Sequence, residues 1–139
     1  MTMRTLRTTV DRIKALGHPA RLRILALLRG GDLCVCQVTA ILGLAPSTCS
    51  EHLSLLRRAG LVEERKKAKW VFYRLADDPA LKPLYAALWP LLEGDEAIGA
   101  DARQGPEVRG MPIAALFKAS AEAGSARPAR ARARTPHDA

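Results

Sequence analysis

Along the first sixty residues apolar positions recur every three or four places, and each run is closed by a glycine. Val10, Ile13 and Leu16 mark a first helix over Thr9 to Leu16, which stops at Gly17. The stretch HPARLRILALLRGG starts a second helix: Pro19 suits the first turn, Leu22, Ile24, Leu25, Leu27 and Leu28 are apolar, and Gly30-Gly31 ends it. A third, short helix runs from about Cys34 to Leu42 and is closed by Gly43. A fourth follows Pro46, with Ser47 or Thr48 as the expected N-cap and Glu51 placed for a capping box; it runs to Ala59 and stops at Gly60.

The period then changes. LVEERKKAKWVFYRL reads as two short β-prone runs joined by a turn around Lys67, Ala68 and Lys69, a hairpin. Asp78-Pro79 opens another strong helix, with Leu81, Leu84, Leu88, Leu91 and Leu92 forming a wide apolar stripe. After Gly94 the signal weakens. Residues 95–110 read as loop, residues 111–123 (MPIAALFKASAEA) as a candidate short helix, and the basic, Pro-containing tail ARPARARARTPHDA as disordered.

The order of elements predicts a mainly α fold with a small β-hairpin, a helix-turn-helix followed by a wing. Residues 1–94 would form one DNA-binding and dimerisation domain, and 95–139 a C-terminal extension. Val38, Leu42, Leu44, Cys49 and Leu53 fall where two crossing helices must share an apolar face, and Gly43 where the chain must turn sharply. On the fourth helix Ser47, Thr48, Ser50, Glu51, His52 and Ser54 are short polar side chains able to approach base edges and phosphates, with Arg57 following. Arg65, Lys66, Lys67 and Lys69 on the hairpin would flank the groove as phosphate contacts. The stripe on the helix after Asp78, together with the first helix, exceeds what one small domain covers, which predicts a two-fold homodimer through these helices.

Charge sharpens this picture. The 139 residues carry a net charge of +8, but residues 1–75 hold fourteen Lys and Arg against five Asp and Glu, whereas residues 76–123 hold four against eight. A basic first half is what a surface for double-stranded DNA needs. Apolar residues are 48% of the chain and aromatics only 4%, so the core must be built from Leu, Ala, Val and Ile. No run of 18 apolar residues and no leader-like start occur, and the three cysteines are odd in number, so a reducing cytoplasm away from any membrane is expected. The absence of a C-x-x-C pair, of a Gly-rich phosphate cradle and of a strand-rich core behind the cysteines argues against a thiol enzyme.

ALGHPARLRILALL, DLCVCQV and STCSEHLSLLRRAGLVEERKKAKWVFYRL together closely resemble the ArsR/SmtB family of metal-responsive bacterial repressors, over roughly residues 9–92. Among its subgroups the chain looks most like the arsenic- and antimony-responsive type. The resemblance implies a winged-helix homodimer that represses by binding a palindromic double-stranded operator and lets go when metal binds.

Two cysteines in DLCVCQ, Cys34 and Cys36, are the chemistry that such a switch would use. In a regular helix residues two apart point about 200° away from each other, but at a helix start the backbone is uncommitted and both sulfurs can turn to one ion. Such a pair suits a soft ion of low coordination: As(III) or Sb(III) as inducer, or Cd(II) or Pb(II); thiol oxidation is the alternative use. Where the resemblance implies a third cysteine, three residues after Cys36, this chain has Thr39. The remaining thiol, Cys49, is either a third ligand or a small core residue, and in the latter case the pair binds two-coordinate with an external thiol completing the shell. His18, His52 and His137 show no clustering in the sequence and no zinc spacing, and no permanent cofactor is expected.

Overall fold

The computed structural model describes residues 2–126, with side chains described over 5–122. Seven helices and three strands follow one another: α1 (Thr2–Leu16), α2 (Pro19–Leu28), β1 (Leu33–Cys34), α3 (Val35–Leu42), α4 (Pro46–Arg58), β2 (Val62–Lys67), β3 (Trp70–Leu75), a 3-10 turn (Pro79–Leu81), α5 (Lys82–Leu92), α6 (Glu96–Arg109) and α7 (Ile113–Ala126). The basic tail beyond residue 126 lies outside the described residues.

Helices α2, α3 and α4 form where the sequence places them, and their ends show why. His18 is extended and its Nδ1 accepts the Ala20 amide at 3.0 Å, so it caps α2 with Pro19 in the first turn. Gly43 takes φ 71°, the left-handed turn that lets α3 hand over to α4 within three residues. The cap of α4 differs from expectation. Pro46 is its first residue and Ala45 its N-cap, so neither Ser47 nor Thr48 caps the helix and Glu51 closes no capping box. Pro46 fixes the helical φ one residue earlier than the hydroxyls could. α1 starts seven residues before the expected Thr9, because Leu6 extends the stripe of Val10 and Ile13.

The hairpin is regular from Val62↔Leu75 to Lys67↔Trp70, with Ala68 at φ 55° in its two-residue turn. β1 adds a third, antiparallel strand on the other side of β3, pairing Leu33 with Tyr73 and Cys34 with Phe72. A two-residue strand carries no period, so the sequence could not announce it. Beneath this sheet Ile24, Leu25, Leu33, Val38, Cys49, Leu53, Leu56 and Leu61 are fully buried and form the core.

Residues 96–109, expected as loop, are helix α6. The local signals are present but weak: Asp95 accepts the Ile98 amide as N-cap and Glu96 follows in the first turn, while Gly99, Gly105 and Pro106 lower the helical propensity. Tertiary contacts decide the outcome. Asp101, buried, takes a two-pronged bond from Arg23 of α2 at 2.8 and 2.9 Å. Arg109 donates to the carbonyls of Leu27 and Gly31 at 3.1 and 3.0 Å and thereby satisfies the C-terminal end of α2. Gly105 leaves room for this, since a Cβ there would stand 3.2 Å from the Arg109 guanidinium. The last helix, α7, then packs across α3 and α4.

Candidate DNA interface and cysteine site

α4 is the second helix of the helix-turn-helix, and its outward face carries most of the expected contacts. Ser47, Ser50, Glu51 and Arg57 are exposed and Thr48 and Ser54 half-buried. Arg58, which the sequence reading passed over, is exposed on the same helix and donates to Ser54 at 3.2 Å. Arg57 makes an exposed ion pair with Glu64 of the wing at 3.4 Å, a contact of small energetic weight. Arg65, Lys66, Lys67 and Lys69 are all exposed on the hairpin, where Lys67 lies over the Phe72 ring and Lys69 over the Trp70 ring, each at 5.2 Å. Each ammonium thus remains presented to solvent on an aromatic platform.

His52 does not belong to this surface. It is 5% exposed, its Nδ1 lies 3.2 Å from the Arg21 guanidinium, and its ring stands 4.5 Å from that of His18. Burial, with the neighbouring His18 and Arg21, holds its pKa down to about 4. His52 is thus buried against Arg21 and His18, where the sequence reading expected it on the outward face of α4. The reason is its phase on α4: it sits beside Leu53, on the face that packs inward. Two histidines that look scattered in the sequence therefore meet in space.

Cys34 and Cys36 converge. Cys34 is both the last residue of β1 and the N-cap of α3, with an extended backbone (φ −92°, ψ 168°) and its amide bound by the Gln37 side chain at 2.9 Å. Because Cys34 has not entered the helix, its sulfur turns back over the first turn and lies 2.7 Å from that of Cys36. Both residues are buried, at 3% and 6% exposure. Burial pushes the Cys36 thiol pKa well up, and the hydrogen bond and charge of Cys34 add to it. The Cys36 sulfur also faces the Ile113 carbonyl of α7 at 4.0 Å. Beside it, under α7, opens a groove of about 370 Å³ whose lining includes Cys36, Thr39, Ala40, Leu44, Leu116 and Ala119.

Cys49 stays apart. It is fully buried in the core, burial raises its thiol pKa, and the Thr39 hydroxyl and the Arg23 charge pull it only part of the way back. Among the described residues no three of His, Cys, Asp or Glu gather to hold an ion. Cys49 thus sits in the core, the position its reading as a small core residue expects. A single thiol on the inward phase of an amphipathic helix gives no sequence signal to tell the two roles apart.

A helix-turn-helix with a basic wing, built on a core shared with α2, defines a winged-helix protein. Residues 18–64 match the family described as bacterial regulatory protein, arsR family. The chain is 43% identical to the biofilm growth-associated repressor of Agrobacterium fabrum, over 53% of this chain and 66% of that protein. It is equally 43% identical to the arsenical resistance operon repressor of Escherichia coli, over 48% of this chain and 58% of that one. In three dimensions it resembles the homodimeric winged helix-turn-helix DNA-binding domain of a possible ArsR-family regulator from Mycobacterium bovis, with 30% identity, a TM-score of 0.59, and coverage of 65% of this chain and 82% of that one. The chain belongs to the arsR family of bacterial regulatory proteins, which are DNA-binding transcription regulators and not enzymes. These likenesses cover about half to two thirds of the chain, and the family match itself ends at residue 64. Among the described residues no helix is long and apolar enough to cross a membrane.

Proposed function

We propose that this protein is a cytoplasmic, homodimeric repressor that binds double-stranded operator DNA through α4 and the wing and releases it when As(III) or Sb(III) takes up Cys34 and Cys36. The observation that carries the reading is the convergence of two buried thiols at the start of α3, the first helix of the helix-turn-helix itself. Trivalent arsenic forms bent, low-coordinate thiolate complexes, and sulfurs already in contact need little rearrangement to share one. The same start of α3 is packed on α4 and paired through β1 with wing strand β3, so a ligand seated there bears on both parts of the DNA interface.

The protonated state of Cys36 favours this ligand over the alternatives. Neutral arsenous acid exchanges two of its hydroxyls for two thiols: two As–O and two S–H bonds break, two As–S bonds form, and two waters leave with no net proton. Divalent Cd(II) or Pb(II) must instead expel the thiol protons. Oxidation proceeds through a thiolate, which burial at Cys36 disfavours.

Dimerisation is supported by apolar surface left open on the single chain. Leu6, Val10 and Ile13 of α1 are 70%, 41% and 59% exposed, and Leu91 of α5 is 79% exposed. In sedimentation at micromolar protein we expect a dimer, and a charge at Ile13 (Ile13→Asp) should shift the population toward monomer. A wild-type monomer that still binds a palindromic site would defeat the dimer model.

The function is tested by a gel shift on the DNA upstream of the protein's own coding sequence, over a series of salt concentrations and with arsenite, antimonite, cadmium, lead and zinc added in turn. Replacing Lys66, Lys67 and Lys69 together by Ala should weaken binding to all sequences alike. It should also reduce the slope of log affinity against log salt by about six, one per phosphate contact from the two wings of the dimer. A triple variant with unchanged affinity and slope would remove the wing from the interface.

A further inference from the structure

α7 lies between the two parts of the DNA interface. It begins beside the cysteine pair, where the Ile113 carbonyl faces the Cys36 sulfur at 4.0 Å. One turn on, the Phe117 ring meets that of Trp70, the first residue of wing strand β3, at 5.4 Å. On its other side Ala119 and Ser120 line one groove with Gly43, Leu44, Ala45 and Pro46, the turn of the helix-turn-helix and the first residue of α4. The helix is thus seated between the tip of the wing and the start of α4, and Lys118 is exposed on it. Residues 121–126 carry α7 about 9 Å beyond Ser120 before it ends at Ala126.

The charge of the chain reverses where this helix ends. Residues 76–123 hold four Lys and Arg against eight Asp and Glu, whereas residues 124–139 hold Arg127, Arg130, Arg132 and Arg134 against Asp138 alone. Alanines and a proline separate these arginines, so the run has no large apolar side chain with which to seat itself on a protein surface. What it offers a partner is a row of guanidinium forks, the donors that suit phosphate oxygens. Its neighbours in the wing, Arg65, Lys66, Lys67 and Lys69, have the same sign, so that face attracts the run only once a polyanion lies on it. Reach is no obstacle, since residues 127–134 span at most about 26 Å. We propose that the chain after α7 is a second DNA-binding arm: anchored by α7 between wing tip and α4, it delivers Arg127, Arg130, Arg132 and Arg134 to phosphates flanking each half-site. The inference rests on the reading of α4 and the wing as the DNA face. It gives α7, which lies beyond the family match, the task of setting where the arm begins.

The test replaces Arg127, Arg130, Arg132 and Arg134 together by Gln in the full chain and measures affinity for the upstream DNA over a salt series. The slope of log affinity against log salt should fall by about eight, one per phosphate contact from the two arms of a dimer. Affinity should drop for upstream and unrelated DNA alike, because phosphates carry no sequence. A slope that falls by less than about two, one contact per arm, overturns the proposal and leaves the arginines to solvent or to the chain's own acidic half. Position is read separately, with a DNA-cleaving iron chelate tethered at Ala131→Cys in a chain whose Cys34 and Cys36 are replaced by Ser and whose Cys49 is fully buried. Cleavage confined to the flanks of the two half-sites is expected; cleavage spread evenly along the DNA overturns the anchoring by α7. The wing variant lacking Lys66, Lys67 and Lys69 keeps the arm and separates the two readings. If the salt slope falls with the wing exchange and not with the arginine exchange, the DNA face stands and the arm is overturned. If the wild-type chain binds no DNA, the DNA face fails and the arm with it.

Discussion

Replacing either Cys34 or Cys36 by Ser should leave operator binding intact and remove the response to arsenite. Neither sulfur lies on the exposed face of α4 or on the wing, so DNA affinity without inducer should stay near wild type. Ser suits the N-cap position that Cys34 holds, and the Gln37 bond to the Cys34 amide does not involve the sulfur. In the wild type, coupling of ordinary allosteric size, about 1–3 kcal/mol, would lower operator affinity roughly 5–150-fold on adding arsenite. With one sulfur left, no chelate closes across the helix start, and that factor should fall close to one. Cys49→Ala should keep the response, because that thiol sits in the core and away from the pair, although losing a fully buried side chain should lower stability. The measurement is operator affinity with and without arsenite by fluorescence anisotropy. Single Cys34 and Cys36 variants that release DNA as the wild type does would sink the sensor.

If Cys34 and Cys36 form the proposed switch, its lever is shorter than the sequence suggested. The sequence places the cysteines at the start of a helix, which accounts for one route, through the packing of α3 on α4. It could not show that Cys34 is also a strand residue paired with Phe72, because a two-residue strand has no pattern to read. Phe72 is the ring under Lys67, so on the proposed reading a pull on Cys34 would reach a wing side chain proposed to contact phosphate. What was legible had strong local causes: the glycine stops, the cap at His18, the change of period at the hairpin. What was missed depended on partners far along the chain. α6 exists because Asp101 meets Arg23 and Arg109 reaches the end of α2, over separations that no local window spans. His52 was misplaced for a related reason, since a polar residue on a helix with a polar outer face reads as exposed until His18 and Arg21 are found beside it.

The response to arsenite should be nearly independent of pH between about pH 6 and 8, whereas any response to cadmium should strengthen steeply over the same range. The sign follows from the protons. Burial, with the hydrogen bond and charge of the neighbouring Cys34, raises the thiol pKa of Cys36, so Cys36 holds its proton across this window. A divalent ion must drive it off. Each released proton makes its apparent affinity rise about tenfold per pH unit, about 100-fold if two leave. Because the folded pKa of Cys36 lies above the ordinary thiol range, this dependence should not level off by pH 8. Neutral arsenous acid brings its own hydroxyls, two of which leave as water while arsenic binds the sulfurs, and exchanges no net proton, so its midpoint should stay in place. Inducer titrations of operator release at three pH values, with arsenite and cadmium in parallel and salt held constant, read both slopes. An arsenite midpoint that moves with pH as steeply as that of cadmium would mean that the pair does not react as protonated thiols. The preference for a neutral trivalent oxyacid would then lose its chemical basis.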